Sequence, residues 1–156
     1  GTLAGLTVAI CGDIAHSRVA GSNMILLTKM GADVRVIAPP ELMPDTLPTG
    51  GIAKFDTMEE GLRDCDIVMT LRLQKERLET ALSMTPKSFF ADYRLTAERL
   101  ALAKPDALVM DPGPVIRGEQ IADEVADDPK RSLILQQVRN GVPVWMAVLD
   151  LLMKDR

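Results

Sequence analysis

The sequence predicts an α/β domain: a doubly wound, mostly parallel sheet of about five strands with helices on both faces. Two observations carry that expectation. Short runs of β-branched and small apolar residues recur along the chain, each ending in a turn signal. Stretches with apolar residues at helical spacing fall between them, which is the rhythm of strands joined by crossover helices.

Residues 6–11 (LTVAIC) read as the first buried strand, closed by Gly12 and Asp13. From Ser17 to Met30, the residues Val19, Met24, Ile25, Leu27 and Met30 mark a helix that Gly31 terminates. Residues 33–38 (DVRVIA) form the second strand, stopped by Pro39 and Pro40. Residues 41–51 hold Pro44, Pro48 and two glycines and read as loop or broken helical turn. Residues 52–55 make a weak third strand. Thr57 and Glu60 form a capping box for a short helix over 58–65. Residues 66–71 (DIVMTL) are the fourth strand and 74–82 a helix after it. Another helix starts at Thr96 and stops before Pro105, and residues 107–110 (ALVM) are the last strand. Helical periodicity returns over 118–126 and from Lys130 to the end, where Asn140, Gly141 and Pro143 predict a kink or a break into two helices.

With 156 residues the chain fits one domain, and its 47% hydrophobic and 26% charged content exclude disorder. A net charge of −4 and 3% aromatic residues argue against nucleic-acid partners, which need a basic surplus or stacking platforms. No apolar run approaches the length of a membrane span, and no secretion signal is visible. The two cysteines, Cys11 and Cys65, lie in apolar runs and read as buried reduced thiols, which fits a cytoplasmic protein. One histidine and two separated cysteines make a metal site improbable, and no cofactor is expected.

In an open parallel sheet, ligands bind beyond the carboxyl ends of the strands where the strand order reverses. That rule selects residues 12–19, 71–77 and 111–118, which carry Arg18, Arg72 with Arg77, and Arg117. One such arginine would merely solvate a helix start. Three together point to an anionic small molecule, because guanidinium groups hold carboxylates through paired hydrogen bonds. Neither G-x-G-x-x-G nor a Walker A segment occurs. His16 and Ser17 lack a nucleophile elbow and read as a loop and helix-cap pair. The tetrapeptide Asp111-Pro112-Gly113-Pro114 is either a rigid turn, with or without a cis bond, or a display of carbonyl acceptors for a ligand amino or amide group.

GDIAHSRV at 12–19, LRLQKER at 71–77, DPGPVIRG at 111–118 and NGVPVWMAVL at 140–149 together resemble the C-terminal half of the aspartate carbamoyltransferase family. The sister ornithine carbamoyltransferases are less similar, since their H-C-L-P and S-M-G segments are missing. The resemblance implies a homotrimer of two-domain chains, in which an N-terminal domain binds carbamoyl phosphate through an S-x-R-T-R segment. No such segment occurs here, so residues 1–156 are expected to be the aspartate-binding domain alone. It further implies that Arg18 and Arg72 hold the carboxylates of L-aspartate, that Gln74 orients it, and that Gly113 and Pro114 meet the carbamoyl group. Four positions depart from the family pattern: Asp111 for histidine, Gly21 and Trp145 for arginine, and Arg94 for glycine. An acid at 111 is expected to repel anions in the site. The resemblance implies carbamoyl transfer to aspartate in pyrimidine synthesis by the full chain, with this part inactive alone. The alternatives are a non-catalytic dicarboxylate-binding or scaffold module, and transfer to another amine.

Overall fold

A computed structural model describes residues 2–74 and 85–154. Five strands form one sheet: β1 (Thr7–Cys11), β2 (Asp33–Ile37), β3 (Ala53–Phe55), β4 (Ile67–Thr70) and β5 (Leu108–Met110). Their spatial order is β3-β2-β1-β4-β5, and every pair is parallel. The chain winds outward from β1 to β3 and then returns to lay β4 on the other side of β1. The strand order therefore reverses between β1 and β4, and a crevice opens beyond their carboxyl ends.

The strands are buried, as their β-branched runs require: Val8, Ala9, Ile10, Val36 and Val68 are almost inaccessible. Helix α1 (Arg18–Lys29) starts where the Ser17 hydroxyl accepts from the Ala20 amide, and it buries Ala20, Met24 and Leu27. A 3-10 turn over Pro40–Leu42 has no side-chain cap, whereas threonines cap three further described helices: Thr57 for α2 (Met58–Gly61), Thr85 for α3 (Pro86–Tyr93) and Thr96 for α4 (Ala97–Leu100). A short α5 (Asp123–Ala126) and a long α6 (Ile134–Met153) complete the described elements. Cys11 and Cys65 are free and buried, and burial pushes both thiols up, which makes them poor nucleophiles.

Several elements differ from the sequence expectation. Helix α3 was not anticipated. Phe89 stacks on Tyr93 at 5.2 Å, and the Tyr93 hydroxyl donates to the Asp56 carbonyl, so tertiary anchoring holds an eight-residue helix. The helix expected over 58–65 ends at Gly61, and Asp64 beyond it has positive φ. The helix expected over 118–126 shrinks to α5, because Gly118 has positive φ and Ile121 instead bridges to Leu95 and Arg117. Of the kink or break expected near Pro143, the break does not form: α6 runs uninterrupted for 20 residues with Pro143 inside it. A proline removes one helix hydrogen bond and bends the axis, but the loss of one bond does not by itself end a helix. The helix expected over 74–82 lies, apart from Gln74, outside the described residues. Among the described residues no helix is long and apolar enough to cross a membrane.

Candidate functional site

The loop after β1 turns sharply at Gly12. Its φ is +123°, and a Cβ there would collide with the Leu71 carbonyl oxygen, so only glycine lets the ends of β1 and β4 approach. The Leu71 amide donates to the Cys11 carbonyl at 2.8 Å and extends the ladder one residue past β4. Two loops thus leave the sheet side by side, one leading to Arg18 and the other carrying Arg72 and Gln74.

Asp13 ties them together. Fully buried, it accepts the Gln74 amide on Oδ2 at 3.1 Å and the His16 amide on Oδ1 at 3.2 Å. His16 Nδ1 lies 2.8 Å from the same Oδ1, and Gln74 Nε2 donates to the His16 carbonyl at 2.8 Å. The sequence reading treated Asp13 only as part of a turn. Its local signal, Gly-Asp at a strand end, marks a turn, but nothing local shows a partner 61 residues away.

A pocket of about 230 Å³ lies over this junction, lined by Arg18, Arg72, Gln74, Pro112, Gly113 and Pro114 among others. The five residues to which the family resemblance gives a substrate role line it: Arg18, Arg72, Gln74, Gly113 and Pro114. Arg18 is exposed and Arg72 half-buried. Two cationic walls from β1 and β4 therefore face a proline-rich turn from β5, an arrangement suited to a small anion with an amine or amide. The bond between Gly113 and Pro114 is cis. The Pro114 carbonyl accepts from Gln120 Nε2 at 3.2 Å. Among the described residues, no hydrogen bond reaches the Pro112 or Gly113 carbonyl, so both stand as open acceptors.

Arg117 does not join the pocket. Its guanidinium forms a paired contact with Asp127 at 2.6 and 2.8 Å and reaches Asp123 at 3.5 Å. The convergence of three arginine loops therefore reduces to two, since Asp127 captures the third. Arg77 lies outside the described residues.

Asp111 also departs from expectation. It does not line this pocket; its carboxyl turns inward to Thr70 and the Gly113 amide, both at 2.7 Å. The carboxyl expected to repel anions in the site is thus directed at these donors and away from the pocket lining. Of the other unusual positions, Gly21 sits in open space on α1, and Trp145 is exposed on α6. Arg94 donates to the Gly118 carbonyl beside a separate depression lined by Lys87 and Phe90. Ser17 and His16 are the helix cap and loop residue that the sequence indicated. Among the described residues no cluster of histidine, cysteine, aspartate and glutamate could hold a metal ion.

Comparison with known proteins now bears on the geometry. The family described as aspartate/ornithine carbamoyltransferase, Asp/Orn binding domain, matches residues 4–152. The chain belongs to this family. It is 60% identical over 152 residues to the aspartate carbamoyltransferase catalytic subunit of Acidiphilium cryptum, covering 97% of this chain and 49% of that protein. It is 54% identical to the corresponding subunit of Rhizorhabdus wittichii over its whole length, again 49% of that protein. The chain thus spans about half the length of the curated relatives it matches. Among solved structures, aspartate transcarbamoylase from Trypanosoma cruzi, in complex with carbamoyl aspartate and phosphate, superposes with a TM-score of 0.77 at 29% identity. That match covers 96% of this chain and 49% of the other. Ornithine carbamoyltransferase from Pyrococcus furiosus gives a TM-score of 0.81 at 27% identity, covering 96% and 50%. The two curated relatives named are aspartate enzymes, while the fold is common to both branches.

Proposed function

We propose that this chain is the aspartate-binding half of an aspartate carbamoyltransferase, acting in the cytoplasm within a homotrimeric enzyme. The observation that carries the reading is one pocket in which Arg18 and Arg72 face the turn of Gly113 and Pro114 across Gln74. Two guanidinium groups match the two carboxylates of aspartate, and Asp13 holds their loops in register. The Pro112 and Gly113 carbonyls are suited to accept from the carbamoyl amide.

In this reading the neutral amine of aspartate attacks the carbonyl carbon of carbamoyl phosphate. A C–N bond forms, the bond from carbon to the phosphate oxygen breaks, and phosphate departs with the electron pair and takes up the amine proton. This chain orients the nucleophile. The companion half supplies the phosphate site and the donors for the developing oxyanion. No metal or organic cofactor has a role. The exposed apolar residues of α6 support the same reading, because a companion half of similar size is a surface that could cover them. Alone, the chain is expected to bind aspartate weakly and to transfer no carbamoyl group, because positioning both reactants is worth about 7–11 kcal/mol.

The test is titration with L-aspartate followed by NMR. Arg18→Ala and Arg72→Lys should each weaken binding about ten- to a hundredfold, the latter because lysine keeps the charge and loses the paired geometry. Arg117→Lys should leave it unchanged. Equal shifts in all four proteins would place aspartate elsewhere and sink the reading.

A further inference from the structure

Four side chains among the described residues are both polar and buried: Asp13, Thr70, Asp111 and Gln120. All four lie behind the pocket, at or beyond the carboxyl edge of the sheet. Asp13 serves the two arginine loops. The other three form a separate cluster that the proposed chemistry does not use.

The cluster is fully connected. Asp111 Oδ2 accepts from Thr70 Oγ1 at 2.7 Å and from Gln120 Nε2 at 3.3 Å, and its Oδ1 accepts from the Gly113 amide at 2.7 Å. Gln120 Nε2 also reaches the Pro114 carbonyl at 3.2 Å, while its Oε1 accepts from the Ile116 amide at 3.4 Å. The Asp111 amide donates to Gln137 Oε1 at 3.0 Å. Residues 112–116 are thus gripped from behind at three points. Thr70 is the last residue of β4 and stands two residues before Arg72. One carboxyl therefore joins the β4 end, which carries the arginine wall, to the β5 turn, which forms the opposite wall.

Keeping such a group buried is costly. Burial pushes the Asp111 carboxyl above its ordinary range, and the donors from Thr70, Gly113 and Gln120 oppose that shift. Apolar residues of similar shape would stabilise a β-turn behind a sheet at least as well. What they would lack is direction: three donors converging on two oxygens set the turn's position and tilt.

We propose that Asp111, with Thr70 and Gln120, is a positioning residue that holds the Pro112, Gly113 and Pro114 wall at a fixed separation from the Arg72 wall. Its effect on aspartate binding rests on the function proposed above; the clamp itself does not. Because the clamp aligns carbonyls without touching ligand, its loss loosens the pocket without removing either arginine.

Reciprocal substitution tests it. Asp111→Asn keeps the shape but sets an amide against the Gln120 amide, and Gln120→Glu alone sets two carboxylates together. The double variant Asp111→Asn/Gln120→Glu restores the donor–acceptor pair between the two side chains but not the donor to the Pro114 carbonyl. Amide hydrogen exchange at Gly113 and Ile116, read without ligand, should speed up about tenfold in each single variant and in Thr70→Val, and return part of the way in the double. L-Aspartate affinity should follow the same order, falling about tenfold and recovering. Exchange that is unchanged in the singles, or equally fast in the double, overturns the clamp. Exchange that follows the expected order while aspartate affinity stays constant overturns the positioning role. A wild-type chain that binds no aspartate, yet shows the exchange pattern, supports the clamp and removes the aspartate reading instead.

Discussion

Val8 and Ile10 on β1 are 1% and 0% exposed, whereas Leu135 and Leu152 on α6 are 76% and 69% exposed. Both elements are rich in apolar residues, and both form the secondary structure their patterns support. The difference is what surrounds them. Strand β1 pairs with β2 on one edge and β4 on the other, and its apolar side chains are buried in the core. Helix α6 leaves the body after Ser132 bridges to Val109, and none of its residues is fully buried. Apolarity states that a surface wants covering; it does not state which surface will do so.

The largest expected effect separates the two regions by truncation. Ile10→Ala should cost about 2–5 kcal/mol, because the close-packed sheet cannot collapse onto the space left behind. Leu152→Ala should stay within about 0.5 kcal/mol, since the side chain is already in water. Urea denaturation measures both, and similar losses would mean that α6 is packed in solution.

Glycine replacement should reverse sign between them. Gly12→Ala forces an L side chain into φ +123° against the Leu71 carbonyl, at a cost on the order of 1–3 kcal/mol. Gly141 lies in the interior of α6 with nothing within 4 Å of an added Cβ. Gly141→Ala should stabilise that helix by about 0.5–1 kcal/mol, seen as slower amide exchange along α6. If Gly12→Ala folds as stably as the parent, the close approach of β1 and β4 is not rigid.

The smallest effect contrasts two ion pairs. In the body, Lys104 lies 2.6 Å from Asp66, which also accepts the Thr7 amide at the start of β1. The Lys104 hydrogen bond, then that from Thr7, holds the Asp66 carboxyl below its ordinary range. Its folded value lies below the unfolded one, so its contribution is present above the usual carboxylate range and is lost as pH falls through the folded value. Asp66→Asn should flatten the acid limb of stability, measured by denaturation midpoints between about pH 6 and pH 3. The Lys154–Asp150 pair on α6 is exposed on both sides, and Asp150→Asn should leave that limb as it was. A matching change in both variants would erase the contrast.

The candidate site was legible in part. Arg18, Arg72 and the turn over 111–114 stood out because each follows a parallel strand, visible as an apolar run meeting a polar loop, whereas Gln74 and the roles of Gly113 and Pro114 came only from the family resemblance. Arg117 met the same criterion and was misread, because Asp127, ten residues on, takes its guanidinium. Asp13 and Asp111 looked like turn residues; their partners Gln74 and Thr70 lie 61 and 41 residues away. Position relative to a strand is a local property, whereas hydrogen-bond partnership across a sheet edge is not.

The same division runs through the fold. Strand identity, helix caps at Ser17, Thr57 and Thr96, and the α/β class follow from short-range physics: side-chain branching, apolar period and the hydrogen bonding of a helix's first turn. Helix α3 needed Tyr93 to find the Asp56 carbonyl, and Gly61, the last residue of α2, packs so close to Ile37 that a Cβ there would strike it. The placement of β4 between β1 and β5, which brings Thr70 to Asp111 on one side and Arg72 to the loop of Arg18 on the other, depends on strands far apart in the chain. Such choices are made by assembly, because the energy of a contact exists only once both partners have been carried to it.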